Sequence, residues 1–169
     1  GGSGPDAIDA GANGGSVDGG TGQDFMDVAL GGRDWNVTDT SLQRTSPDPI
    51  LFTMASIEEI RTRTESSTDA ADLIDGSAYR GRLYLTTYDG NDRILGGSGE
   101  DAMSAMGGTD RLFGTYGDDV LRGGAGRDLL RGGHGDDLLN GGPGFDRCNG
   151  GRGRDAYRGC EVISRPPVS

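Results

Sequence analysis

"GGAGRDLLRGGHGDDLLN", residues 123–140, is one nine-residue phrase said twice, and half of its letters are Gly or Asp. Set in rows of nine, residues 87–158 become TYDGNDRIL, GGSGEDAMS, AMGGTDRLF, GTYGDDVLR, GGAGRDLLR, GGHGDDLLN, GGPGFDRCN and GGRGRDAYR. The fourth column is Gly in every row. The sixth is always Asp: Asp92, Asp101, Asp110, Asp119, Asp128, Asp137, Asp146 and Asp155. The eighth is always apolar or aromatic, from Ile94 and Met103 through Leu112, Leu121, Leu130 and Leu139 to Cys148 and Tyr157. A flexible Gly-rich linker has no reason to keep that eighth column, so the phrase specifies a repeating fold.

Each column has a physical role. Glycines at columns one, two and four (Gly114, Gly123, Gly132, Gly141, Gly150; Gly97, Gly124, Gly133, Gly142, Gly151; Gly99, Gly117, Gly126, Gly135, Gly144, Gly153) supply positive φ and lack a Cβ. Six residues then suffice for a tight loop with its carbonyls turned inward. Asp at column six ends the loop on a hard oxygen. The last three residues make a short strand with one face buried. Two rows complete a turn, so like columns stack every 18 residues, Asp119 near Asp137 and Asp110 near Asp128. Such ladders of carboxylates repel one another. Ca²⁺ between successive loops answers that with the hard oxygen coordination it prefers, and Mg²⁺, which needs a tighter octahedron, substitutes poorly. The alternative is a metal-free roll in which Asp only caps turns.

The phrase resembles the hemolysin-type calcium-binding repeat, the RTX family with its GGxGxDxUx motif. The resemblance implies an all-β fold: a parallel β-roll or β-solenoid of nonapeptide repeats in a secreted bacterial protein that folds on meeting calcium. Carried over row by row, it makes the eight column-six aspartates ligands together with the loop backbone before them. Up to six ions are expected in 87–158. Residues 1–9 and 19–27 keep the same columns, so Asp6 and Asp24, 18 apart, are expected to share one site. Rows 87 and 105 lack the opening glycine pair, Thr115 fills a second column, and Arg127 and Arg154 fill the fifth, where they weaken the field for a cation or act as surface counter-charges.

The rest of the chain divides around these arrays. Residues 1–32 form a short N-terminal array, 33–86 an irregular β-rich segment with only Gly76 and Gly81, 87–158 the roll, and 159–169 a cap and tail. "DWNVTDTSL", "PILFTM" and "RLYLTTY" read as strands, while "SIEEIRT" and "DAADLIDGSAY" fit a helical turn or a rung equally. Cys148 and Cys160 are the only cysteines and are expected to pair as a clasp on the last rows, the alternative being a buried free thiol at Cys148.

Composition limits the function. With 32% hydrophobic residues, 34 Gly and a net charge of −11, a conventional core is out of reach, and nucleic acid and anionic membrane are disfavoured partners. No stretch reaches the length of an apolar membrane span. The chain opens on Gly1 at the first column of a repeat with no signal peptide, which predicts a mature piece of a longer protein, and all its basic residues are Arg. His134 is the sole histidine and sits in a loop, Glu58 and Glu59 point apart on a strand, and no GxSxG or HExxH motif occurs, so no enzyme is expected. Two other readings stay open. One is an adhesive module in which 33–86 binds an extracellular protein or glycan, signalled by Trp35, Phe52, Tyr79, Tyr84 and Tyr88 on one face. The other is the non-catalytic tail of a secreted hydrolase.

Overall fold

The computed structural model describes residues 71–164 without a break. Before them it describes the strands Ala7–Asp9, Gly15–Asp18, Phe25–Leu30, Asp34–Thr38, Ser41–Ser46, Ile50–Ala55 and Glu59–Thr64, with Ser3, Gly20, Thr21 and Gln23. No helix occurs among the described residues, and so none long and apolar enough to cross a membrane.

From residue 71 onward the chain winds as a parallel β-solenoid, two rows to a coil. The first strand of each coil joins a ten-stranded sheet and the second an eight-stranded sheet. In the ten-stranded sheet Ile74, Ile94, Leu112, Leu130, Cys148 and Ile163 follow one another in register. In the facing sheet the sequence is Leu85, Met103, Leu121, Leu139 and Tyr157. Up to Cys148 and Tyr157 these two files form the core, Ile163 being exposed, and Ile94, Met103, Leu112, Leu121, Leu130 and Leu139 are fully buried. A buried leucine contributes about 1.5–3 kcal/mol, against nine residues that must be ordered to bury it. The core is therefore one side chain thick, and the loops must contribute the rest.

The eight-stranded sheet runs through both arrays, pairing Ala7–Asp9, Phe25–Leu30, Glu59–Thr64 and Arg82–Thr86 in parallel before it reaches Ala102–Ser104. Within "SIEEIRT" the described residues belong to the strand Glu59–Thr64, and within "DAADLIDGSAY" Leu73–Ala78 is a strand. "DWNVTDTSL" differs from expectation: it is two strands, Asp34–Thr38 and Ser41–Ser46, paired antiparallel. Ile50–Ala55 adds a third antiparallel strand and then pairs in parallel with Gly15–Asp18. The short meander enters the ten-stranded sheet through Asp34–Thr38, beside Leu73–Ala78.

The two loop edges are not alike. At one edge the strands Arg111–Tyr116, Leu129–His134 and Arg147–Arg152 run on into the next loop, where Tyr116 and His134 stack at 4.9 Å. At the other edge, Asp89–Gly90, Gly107–Gly108 and Ala125–Gly126 form a narrow third sheet, and Phe145 is exposed. They are called here the Tyr116 edge and the Phe145 edge.

Candidate metal centre: two ladders of buried aspartates

Seven column-six aspartates, Asp92 to Asp146, point into the roll and are at most 2% exposed; Asp155, on the last full row, is half-buried. Their Oδ1 atoms are satisfied in one repeated way: each accepts a hydrogen bond from a main-chain amide one coil earlier, on most rungs that of the preceding aspartate. On the Phe145 edge the amides of Asp92, Asp110 and Asp128 donate to Asp110, Asp128 and Asp146 at 2.8, 2.9 and 2.8 Å. On the Tyr116 edge those of Asp101, Asp119 and Asp137 donate to Asp119, Asp137 and Asp155 at 2.9, 2.9 and 3.2 Å. The expected stacking of Asp119 on Asp137 and of Asp110 on Asp128 is this bond.

The other oxygen is different. The Oδ2 atoms of Asp92, Asp110, Asp119, Asp128, Asp137 and Asp146 are buried without a hydrogen-bond partner among the described residues. An orphaned buried carboxylate oxygen costs several kcal/mol unless it is protonated or meets a cation. Burial accordingly pushes the carboxyls of Asp101 and Asp137 up to about 6, Asp110 to about 7 and Asp119 to about 8, and it raises Asp128 and Asp146. The amide bonds oppose that rise, and neighbouring carboxylates add to it at Asp110, Asp119, Asp128, Asp137 and Asp146. Asp101 is the exception in geometry: its Oδ2 accepts from the Gly97 amide at 2.7 Å.

Column one proves to be glycine for a reason other than positive φ. Gly114, Gly123, Gly132, Gly141 and Gly150 do not have it; that conformation belongs to columns two and four. Instead, the carboxylate of the same row folds back over them. A Cβ on Gly114 would overlap Asp119 Oδ2 and lie 2.7 Å from the carbonyl oxygen of Gly132 in the next coil. A Cβ on Gly123 would overlap Asp128 Oδ2 and lie 2.8 Å from that of Gly141. The orphaned Oδ2 atoms of Asp119, Asp128 and Asp146 therefore share their space with a main-chain carbonyl. No three His, Cys, Asp or Glu side chains converge among the described residues, so any cation held here takes carboxylate and carbonyl oxygens. That donor set fits a hard divalent ion.

Column four is glycine because the coils stack through it: a Cβ on Gly117, Gly126 or Gly135 would overlap the carbonyl oxygen of Gly99, Gly108 or Gly117. Gly144 and Gly153 repeat the pattern, as do Gly124, Gly133, Gly142 and Gly151 in column two with positive φ. Gly97 and Gly99, in the first loop of the Tyr116 edge, have ordinary φ. Thr115 takes φ 86° at a column-two position, the only non-glycine to do so among the described residues, and its hydroxyl donates to the Gly97 carbonyl. Arg127 and Arg154 are exposed, with Arg127 stacked over the Phe145 ring at 5.6 Å. Asp6 and Asp24 lie outside the described residues. Cys148 and Cys160 are disulfide-bonded, Cα atoms 6.0 Å apart.

Three ladder members lie outside the regular nine-residue count. Asp72 donates its amide to Asp92 Oδ1 at 2.8 Å, and Leu83 donates to Asp101 Oδ1 at 2.9 Å. At the other end Glu161 Oε2 accepts from the Asp146 amide at 2.6 Å. Of the aromatics that would mark a binding face, Tyr79 is buried, Tyr84 and Tyr88 are partly exposed, and the side chains of Trp35 and Phe52 lie outside the described residues.

Residues 84–112, 113–148 and 135–157 match the family model of the RTX calcium-binding nonapeptide repeat, in its four-copy form. No curated protein matches the chain.

Proposed function

We propose that, since residues 84–157 belong to the RTX calcium-binding repeat family, this chain is a calcium-dependent structural module of a secreted bacterial protein. The observation that carries this reading is the two rows of orphaned Oδ2 atoms, buried along the two loop edges and open to no donor among the described residues. Asp110, Asp119, Asp128, Asp137 and Asp146 would hold the ions with loop carbonyls of columns one to four, and Asp92 and Asp155 would close the ladders. Asp101 is the weakest ligand, because its own loop already satisfies it. Up to six ions fit between like loops of 87–158.

Calcium supplies the positive charge that lets these carboxylates be buried in ionised form. The protein supplies loops spaced so that one ion ties two coils together, and with a core one side chain thick that tie decides whether the coils stack. On this reading the module works through shape, and His134 is stacked on Tyr116 at the surface. Residues 33–86 continue the sheets and join the two arrays into one stack, with 159–169 as cap and tail. A disulfide and a fold set by millimolar calcium both suit the extracellular space.

The test is far-UV circular dichroism of the full chain, disulfide intact, during a calcium titration with magnesium as control. A cooperative gain of β signal between about 0.1 and 1 mM Ca²⁺, the range of extracellular modules, is expected, with magnesium inert. A β-rich spectrum in excess chelator, indifferent to calcium, would sink the proposal.

A further inference from the structure

We infer that the chain carries one calcium site more than its repeats provide, at the C-terminal end of the Phe145 edge, formed by Asp146, the Gly159 carbonyl and Glu161 and held together by the Cys148–Cys160 disulfide. The inference rests on the calcium reading above and extends it beyond residues 84–157.

After GGPGFD at 141–146, the next loop on this edge is not another six-residue phrase. It is Gly159-Cys160-Glu161 alone. Arg147, Cys148 and Asn149 pair with Val162, Ile163 and Ser164, which puts Glu161 opposite Asp146, 15 residues on instead of 18. Three residues have been lost and the ladder still closes. The longer glutamate reaches the Asp146 amide at 2.6 Å, as Asp146 itself reaches that of Asp128 at 2.8 Å.

The second donor keeps its place as well. Gly159 stands one coil beyond Gly141, although at φ 54° it departs from the column-one glycines before it. A Cβ on Gly141 would lie 2.5 Å from Asp146 Oδ2 and would overlap the Gly159 carbonyl oxygen, the same pairing seen at Gly123 with Asp128 and Gly141. Asp146 is fully buried and its Oδ2 has no hydrogen-bond partner among the described residues. The truncated loop thus keeps the two functional columns, first and sixth, and drops those between.

Cys160 sits between the two donors of the short loop, and Cys148 lies in the core two residues after Asp146. The bond fixes Gly159 and Glu161 against Asp146 where column-two and column-four glycines no longer do so. Site and disulfide must then be coupled reciprocally: each holds the geometry that the other needs.

Equilibrium dialysis of the full chain against calcium counts the ions. Glu161→Gln leaves an oxygen for the Asp146 amide and removes the charge. It is expected to bind one ion fewer than wild type, the others keeping their affinity within about twofold. Reducing wild type with dithiothreitol is expected to lose that same ion, and reducing Glu161→Gln to lose no more. Should Glu161→Gln lose its β signal, Glu161→Asp decides the matter: the full number of ions is expected, one of them bound at least tenfold more weakly. Unchanged stoichiometry in Glu161→Gln, or unchanged affinities in Glu161→Asp, overturns the terminal site alone. Wild type binding no calcium overturns it together with the calcium reading.

Discussion

The amide of Asp119 donates to Oδ1 of Asp137, 18 residues later and 2.9 Å away, while Oδ2 of the same Asp137 carboxylate is buried without a donor among the described residues. One oxygen of the pair builds the stack, and the other leaves a charge to be neutralised. The two functions can be separated by substitution.

Asp137→Asn keeps an oxygen for the Asp119 amide and removes the charge. In chelator near pH 5, where the calcium-free protein is folded, its thermal midpoint should equal or exceed that of wild type, because a buried repulsion is gone. With calcium it should fall below, since a site at a hundredfold excess over its Kd contributes about 2.7 kcal/mol. Melting both proteins with and without calcium checks this; equal calcium-induced shifts would remove Asp137 from the ligands.

Protons compete for the same oxygens. The folded carboxyls titrate at about 6 for Asp101 and Asp137, about 7 for Asp110 and about 8 for Asp119, above the ordinary 3.8. A group raised on folding stabilises the fold fully below its unfolded value, and that contribution is lost as pH rises through the folded one. Calcium-free protein should therefore hold β structure near pH 4 and lose it between about pH 6 and 8. Calcium added in weak buffer at pH 6.5 should release protons. A calcium-free fold that strengthens from pH 5 to 8 would contradict the buried placement of these groups.

Two glycines in one loop separate steric from cation effects. Gly135→Ala meets the backbone carbonyl of Gly117 at a residue of φ 131°, and neither can yield. It should destabilise by roughly 3 kcal/mol or more with or without calcium. Gly132→Ala meets only the side chain of Asp137, whose Oδ2 can swing away while its Cβ, 2.7 Å off, must shift by a few tenths of an ångström. Ala105, in the same column, shows that a coil can form around a Cβ there. Its cost should appear chiefly as a weakened calcium response, read by comparing urea midpoints in calcium and in chelator.

Cys160→Ser cuts the clasp and leaves the Cys148 sulfur in the core. In calcium-free protein at low pH the loss should be up to about 3 kcal/mol, the chain-entropy value for a loop of this size. Urea denaturation measures it, and an unchanged midpoint would mean that the last coil is not part of the cooperative unit.

The columns that keep time were legible in the sequence, and so was the roll they build. What broke the count was hidden. Asp72 precedes Ile74 as Asp92 precedes Ile94, yet stands 20 residues before Asp92, and Glu161 stands 15 after Asp146. A nine-residue ruler passes over both. Leu83 is hidden for a different reason: its row keeps Gly81 and Leu85, but the ladder asks only for its amide, which no side chain advertises. Alternation marked Asp34–Thr38 as extended but carries no information on the direction of a partner, so the antiparallel turn after it was invisible. Column one is glycine for lack of a Cβ, as its chemistry suggests; the tenant of that space, the carboxylate of its own row, is visible only in three dimensions.

The ladder bond also gives the stack a grammar. Each carboxylate serves the coil before it, so every new coil must bring an acceptor to the amide left open by the last. At the N-terminal end any residue with an amide will do, and Leu83 does. At the C-terminal end only a side chain with an acceptor oxygen can write the full stop, and Glu161 is that punctuation. An engineer lengthening this protein could begin the sentence with almost any word, but would have to splice new coils in ahead of Gly159.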